Sequence, residues 1–326
     1  MKIGIHSNQF DGRGTGKVPL DYGLGLRNLL GHEVVFITSG LSANEGLARI
    51  SKEFETFTYD KKVGVNTGEE VNQALSNIIE REGIDFIHLL KAGNDDGVAP
   101  KNCKTGVHCI FDMKFKHGDI YAGVSDYLAK KFGQSAFVPH IIKNYSPSED
   151  FRDKHNIPKN ALVFGRHGGP SKFDLPFAHL AVAKILELRK DVWFAFLSTD
   201  KFIEHPRAIF IPWVSSEQDT FNFIHGCDAM IHARSDGETF GLACGEFSAA
   251  NKPVITWSGG DYQHYDKAHI DQLQGRALLY NDQYDLFEYF KQLTREYILD
   301  NDWDTYTEVF SEKNVTDQYN KTFLLP

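Results

Sequence analysis

The chain has 326 residues, more than one ordinary core needs and suited to two domains of roughly 150 residues each. Apolar residues make up 41% and charged residues 24%, a globular balance that excludes disordered and fibrous classes. A net charge of −9 argues against nonspecific binding to nucleic acid, and no apolar run approaches the ~20 residues that span a bilayer.

The opening MKIGIHSNQF lacks the pattern of a signal peptide, so the expected location is cytoplasmic. KIGIHS (2–7) reads as a buried strand, LDYGLGLRNLLG (20–31) as a helix closed by a glycine, and HEVVFITS (32–39) as a second strand. GEEVNQALSNIIEREG (68–83) sets Val71, Leu75, Ile78 and Ile79 at helical spacing, with IDFIHLLK (84–91) the strand after it. KTGVHCIFD (104–112) and IYAGVSDYLAKKFG (120–133) continue the alternation, which predicts a parallel, doubly wound sheet. VPHIIKNYSPSEDFRDKHNIPKN (138–160) breaks the rhythm with prolines and polar residues, as an interdomain linker does.

The alternation then restarts. ALVFGR (161–166), VWFAFLS (192–198), AIFIPWV (208–214), DAMIHAR (228–234) and PVITW (253–257) read as strands. LPFAHLAVAKILELRK (175–190), SSEQDTFNFIHG (215–226) and residues 241–250 read as helices, the second opened by a Ser215-to-Gln218 capping box. Acidic helices over 283–299 and roughly 303–320 close the chain. The expected architecture is α/β, with two Rossmann-like doubly wound domains, and ligands belong at the carboxyl ends of their strands.

Charge is unevenly spread. Residues 1–143 carry 17 basic and 17 acidic side chains, so the whole deficit lies in the second half. Six lysines against three aspartates between Lys101 and Lys131 suit a solvated face, or weak peripheral contact with an anionic acceptor or membrane surface. Cys103, Cys109, Cys227 and Cys244 form no C-x-x-C pair, so no disulfide framework or zinc ribbon is indicated.

The stretch SDGETFGLACGEFSAANKPVIT (235–256) carries the chemistry. A strand leads through Glu238 and a Phe-Gly turn into a helix bearing Glu246. The amides of Phe240, Gly241 and Leu242 are unpaired at such a helix start, and Gly241 lets a ligand approach the backbone. That is an anion site suited to a diphosphate. Glu246 repels phosphate and suits neutral hydroxyls such as a ribose diol, and Glu238 suits a second hydroxylated group beyond the phosphates. The bland alternative is a solvent-facing Glu246 and a loop charge at Glu238.

The segment GETFGLACGEFSAANKPVI resembles the donor-binding signature of family 4 retaining glycosyltransferases, which adopt the two-domain GT-B fold. GTG (14–16) followed by a helix and GHEVVFIT is similar to the family's N-terminal glycine loop, and residues 138–166 to its linker and first donor-domain strand. The resemblance implies domains at 1–143 for the acceptor and 144–305 for the donor, facing across a cleft, with 306–326 returning to the first. It implies that Arg166 and Lys172, six positions apart, clamp the pyrophosphate of the nucleotide sugar. It implies further that Glu246 holds the ribose, that Glu238 contacts the donor sugar, and that His108 faces that sugar from the first domain. Thr239, Phe240, Gly241 and Leu242 line the same donor site. Two departures are Phe173, where the family has glycine after the lysine, and Asn251, where it has glycine after the helix.

A nucleoside diphosphate leaving group needs either a metal or fixed cations and helix amides. Arg166, Lys172 and residues 240–242 offer the second, so no metal or other cofactor is expected beyond a UDP- or GDP-sugar substrate. Partners are that donor and a glycan, lipid or small-molecule acceptor. The Asp-x-Asp at 302–304 reads as surface charge on a helix, and NDDG (94–97) as a turn. GRGTGKV (12–18) fails as a P-loop, with Asp11 and Val18 at required positions, yet as a tight loop it lets Gly14 and Gly16 meet the distal phosphate. Trp213 and Val214 stand where a nucleobase is flanked, with core packing the alternative for Trp213. Rival readings are a nucleotide-sugar epimerase or phosphorylase, or a silent sugar-nucleotide-binding protein.

Overall fold

The computed structural model describes residues 1–11, 14–64, 67–214 and 216–325. It divides into unit 1, Met1–Ile141 with Phe310–Pro326, and unit 2, Ile142–Val309.

Unit 1 runs β1 (Lys2–Ser7), α1 (Gly14–Leu30), β2 (Glu33–Ser39), α2 (Leu47–Ile50), β3 (Glu55–Tyr59), α3 (Gly68–Glu82), β4 (Phe86–Lys91), β5 (Lys104–Cys109), β6 (Ile120–Gly123) and α4 (Asp126–Lys131). Its strands are parallel, in the order β3-β2-β1-β4-β5-β6. β1 and β4 are buried almost throughout, as strands covered on both faces are; beside their apolar residues they bury His6 and Ser7, and His88 and Lys91. α3 buries Val71, Leu75, Ile78 and Ile79 and stops at Gly83, whose φ of 65° is left-handed.

Unit 2 runs α5 (Phe151–Lys154), β7 (Leu162–His167), α6 (Pro176–Leu188), β8 (Val192–Leu197), β9 (Ala208–Ile211), α7 (Glu217–Gly226), β10 (Ala229–His232), β11 (Gly237–Glu238), α8 (Leu242–Ala249), β12 (Val254–Trp257), β13 (Asp266–Lys267), α9 (Ala268–Gln272), β14 (Leu278–Tyr280), α10 (Gln283–Gln292) and α11 (Arg295–Leu299). Its main sheet is also parallel and ordered β14-β12-β10-β7-β8-β9, the same doubly wound order as unit 1. Phe164, Phe194, Phe196, Ile231 and Ile255 fill its core. β11 and β13 form a separate two-stranded ribbon. α12 (Glu312–Tyr319) and a π-helical turn, Asn320–Leu324, belong to unit 1, where Thr316 meets α1 at Gly25.

Several boundaries differ from the sequence reading. α1 starts at Gly14 and carries Pro19 inside it, so Gly14 and Gly16 lie in the first turn of a helix, not in a tight loop. Pro19 is the sixth residue, past the first turn, so α1 forgoes there the hydrogen bond that an N–H would make to the carbonyl four residues back. β3, α2 and the β11–β13 ribbon had no counterpart in the pattern. The linker includes α5, capped by Asp150, whose side chain accepts from the amides of Arg152 and Asp153. Ser215 lies outside the described residues; the cap seen is Ser216, whose Oγ accepts from Asp219 N at 3.3 Å. The expected helix over 283–299 breaks at Leu293, where the backbone is extended. Asp302 and Asp304 sit in a turn before α12, not on a helix; Asp302 pairs with Arg276 at 2.6 Å and Asp304 accepts from the amides of Tyr306 and Thr307. No helix among the described residues is long and apolar enough to cross a membrane.

Candidate functional site

β7 and β10 are neighbours at the point where the strand order of unit 2 reverses. Crevices at such switch points are where doubly wound sheets take ligands. β7 ends in Arg166 and His167, and β10 leads through Arg234 into the loop that carries Glu238.

Arg166 is only 4% exposed. Its guanidinium donates to Thr199 Oγ1 at 2.6 Å, Ser198 O at 3.3 Å and Gly169 O at 2.7 Å. Gly168, with φ 142°, folds the following loop over the guanidinium, close to Nη2. None of these hydrogen-bond partners is a carboxylate. Burial lowers the group to about 10, opposed by the charge of Glu238, so it remains a cation at neutral pH. Among the described residues its hydrogen bonds go to neutral oxygens, while the Glu238, Asp174 and Asp200 carboxylates act on it only through space. A desolvated cation without a direct anionic partner is suited to accept one.

Lys172 is half exposed, and its Nζ lies 2.7 Å from Asp236 Oδ2. Glu238 receives Arg234 Nη1 at 3.0 Å on each oxygen and lies 3.3 Å from His232 Nε2. Burial pushes its carboxyl up, but the His232 contact and the charge of Arg234 win and hold it at about 2. Arg234 is raised in return: burial opposes, while the Glu238 carboxylate favours the cation. Asp174 accepts from the amide and hydroxyl of Ser235 at 2.8 and 2.9 Å, pinning the loop between Arg234 and Glu238.

Thr239 and Phe240 are buried, and Phe240 meets Tyr306 edge-on. Gly241 is the N-cap of α8 with φ 86°, and a Cβ there would come within 2.7 Å of His269 Cβ. The position therefore requires glycine, and no side chain caps the helix whose first residue is Leu242. Glu246, inside α8, is 3% exposed, with Oε2 3.1 Å from His167 Nε2. Asn251 adopts φ 55° after the helix, the left-handed conformation that asparagine tolerates, and its side chain accepts from Trp303 N at 2.7 Å.

No protein-family model matches the chain, and no curated protein matches it by sequence. Solved structures do. HepE of Anabaena, crystallised with UDP and glucose, aligns at TM-score 0.71 and 14% identity over 99% of each chain. The chain has the GT-B fold. A glycosyltransferase from Rickettsia africae aligns at TM-score 0.66 and 14% identity, over 98% of this chain and 94% of that one. A Listeria monocytogenes protein named as a UDP-N-acetylglucosamine 2-epimerase aligns at 0.61 and 13%, over 97% and 94%. At these identities the likeness is one of fold.

Within unit 2, Glu238 acts on Arg166 through space and lies against Gly241, Lys172 reaches the same loop through Asp236, and Glu246 meets His167, the residue after Arg166. Val214 is half-buried after β9, while Trp213 beside it is 46% exposed, which corrects the core role expected of it. In unit 1, Gly16 faces the Asp11 carbonyl so closely that any side chain would collide with it. His108 requires the main correction. It is 0% exposed, with Nε2 2.9 Å from Val138 O and Nδ1 3.3 Å from His88 Nε2, and its ring packs against His88, Tyr22 and Phe323. Burial lowers it to about 4. It packs as a neutral residue with both nitrogens engaged inside unit 1, which does not fit the sugar-facing role that the family resemblance and its strand-end position implied for it.

Arg234, His232 and Asp236 were not singled out in the sequence. One signal was there: Arg234 stands four residues before Glu238, a spacing at which opposite charges meet in a compact turn. His232 gave no such signal, because its partner Thr256 comes from another strand.

Proposed function

We propose that this protein is a glycosyltransferase that moves a sugar from a nucleoside diphosphate sugar to an acceptor hydroxyl, with retention at the anomeric carbon and without a divalent metal. The observation that carries the reading is Arg166, a buried cation at the switch point whose hydrogen bonds, among the described residues, reach neutral oxygens while Glu238, Asp174 and Asp200 act on it through space. A diphosphate there supplies the missing negative charge, with Lys172 turning to it from Asp236 and the amides at the start of α8 completing the contact. HepE, of the same fold, has been crystallised with UDP and with UDP-glucose, which supports a uridine nucleotide as the first donor to test.

In this reading Glu246 accepts from the ribose hydroxyls, Glu238 from a hydroxyl of the donor sugar, and Val214 lies beside the base. Charge developing on the leaving phosphate is stabilised by fixed cations that need no reorganisation. The acceptor attacks on the face from which the diphosphate departs, and the leaving phosphate oxygen takes its proton. No strongly basic side chain is then required.

Thermal shift against UDP-, GDP- and ADP-sugars in EDTA tests the site, since a ligand at 100 times its dissociation constant adds about 2.7 kcal/mol. The reading expects one of them to stabilise the protein with EDTA present and Arg166→Ala to abolish the shift. Absence of any shift, or one that requires added divalent ion, overturns it. Conversion of the nucleotide sugar to an isomer with no acceptor present marks an epimerase instead.

A further inference from the structure

Behind Glu238 lies a line of hydrogen bonds whose direction follows from its two ends. His232 Nε2 is 3.3 Å from Glu238 Oε1, and His232 Nδ1 is 2.8 Å from Thr256 Oγ1. Thr256 Oγ1 is 3.0 Å from His269 Nε2. His269 is 0% exposed, and its Nδ1 has no hydrogen-bond partner among the described residues.

A carboxylate only accepts, a hydroxyl donates once, and a neutral imidazole donates from one nitrogen and accepts at the other. Facing a carboxylate, His232 Nε2 must carry the hydrogen, because a ring lone pair there would be repelled. Nδ1 of His232 therefore accepts from the Thr256 hydroxyl. The Thr256 oxygen then accepts from His269 Nε2–H. The far end selects the same direction. Reversing every bond would leave a buried, unpaired N–H at His269 Nδ1, whereas this direction leaves only a lone pair there, which costs less. Tyr265 fits as well: its hydroxyl donates to Trp257 O at 2.6 Å and leaves its oxygen to accept from His269 Nε2 at 3.4 Å.

Arg234 contacts both oxygens of Glu238 from a single nitrogen. One nitrogen set between two oxygens fixes the direction of the carboxylate but not its rotation about that direction. The bond from His232 to one oxygen fixes the rotation.

We propose that His269, Thr256 and His232 form a one-way relay that orients Glu238 as an acceptor for a hydroxyl of a neutral donor sugar, with His232 as the positioning residue. This rests on the reading of Glu238 as the sugar-binding carboxylate. It adds a substrate class: the sugar bears a free, uncharged hydroxyl at the position Glu238 meets, and an acidic or deoxy sugar at that position is refused. The charged and titratable groups that face Glu238 are His232 at the end of β10 and Arg234 after it, Arg166 on β7, His269 on α9, Cys244 on α8, and Tyr265 and Tyr306.

Two measurements on the full chain test it. Long-range proton–nitrogen NMR of the imidazoles at neutral pH is expected to show His232 and His269 both as Nε2–H tautomers. An Nδ1–H form of either overturns the relay, whether or not any nucleotide sugar proves to be a substrate. In kinetics, His232→Asn withdraws the contact from Glu238, while His232→Gln carries an amide to about the place of Nε2. The Asn variant is expected to lose about 10–100-fold in kcat/KM for sugar transfer. The Gln variant recovers most of that loss, and the dissociation constant of UDP, which lacks the sugar, is unchanged in both. Thr256→Val keeps the shape, removes the relay hydroxyl and loses less than the Asn variant. Equal losses in Asn and Gln, or a UDP affinity that falls with kcat/KM, overturn the positioning role. A wild-type protein that transfers no sugar overturns the parent reading instead, and the tautomers still decide the relay.

Discussion

His108 in unit 1 and Arg166 in unit 2 occupy matching places, each one residue before the end of a parallel strand and each bonded to backbone carbonyls. Both are almost fully buried. Burial has opposite consequences for them. An imidazole can shed its proton, and His108 does so at about 4, after which it packs as a neutral ring. A guanidinium lowered to about 10 is still charged, so Arg166 keeps a cation at a strand end, hydrogen-bonded among the described residues to neutral oxygens and balanced through space by Glu238. Desolvation removes the charge of the first residue and leaves that of the second.

A second buried arginine, Arg152, sharpens the contrast within unit 2. It pairs with Asp228 at 2.8 Å at the opposite, amino end of the sheet, and Arg295 shares the same carboxylate at 3.0 Å. Its remaining donors reach the carbonyls of Gly226 and Ala161. Arg152 sits in a closed ion pair; Arg166, likewise buried, has among the described residues no carboxylate within hydrogen-bond distance.

The largest expected effect tests the silent histidines. Burial holds His88, His108 and His140 below their ordinary range, and unfolded imidazoles titrate near ~6.5. Protons therefore bind the unfolded chain first. Stability is full above the unfolded value and falls as pH drops toward the folded ones, by about 1.4 kcal/mol per histidine per pH unit. Urea melts at pH 7, 6 and 5 read this directly, and a midpoint that stays flat would break the comparison.

Next come the two arginines. Arg152→Ala strands the buried Asp228 and is expected to cost about 3–5 kcal/mol in a denaturant melt, with nucleotide affinity unchanged in the folded fraction. Arg166→Ala is expected to do the reverse, lowering kcat by roughly 100–1000-fold with little loss of stability. If both variants lose stability and spare turnover, the two arginines are alike and the open site is wrong. The smallest effect is expected from Lys172→Ala. Its half-exposed pair with Asp236 contributes within about 1 kcal/mol to stability, while donor KM rises about tenfold through one lost charge-assisted contact.

Much of the architecture could be read from the chain because its signals are local. The β-rich runs of β1 and β4, the helical spacing in α3, and the Glu-Thr-Phe-Gly turn before α8 all involve neighbours within a few residues. Boundaries are less local. α1 extends back to Gly14 although Pro19 lies inside it. The helix over 283–299 breaks at Leu293, whose carbonyl Arg189 holds at 2.9 Å.

Sequence alone determined the strand–helix alternation and the presence of two carboxylates, Glu238 and Glu246, on either side of a Phe-Gly turn. Only the tertiary structure decided that position 241 requires glycine, because His269 lies against it, and which charged groups are paired. Among the described residues Arg166 hydrogen-bonds no carboxylate, Glu238 is gripped by Arg234 and His232, and His108 is sealed by Phe323 from the far end of the chain. A charge is tolerated or not according to what surrounds it in space, and those surroundings come from residues remote in sequence.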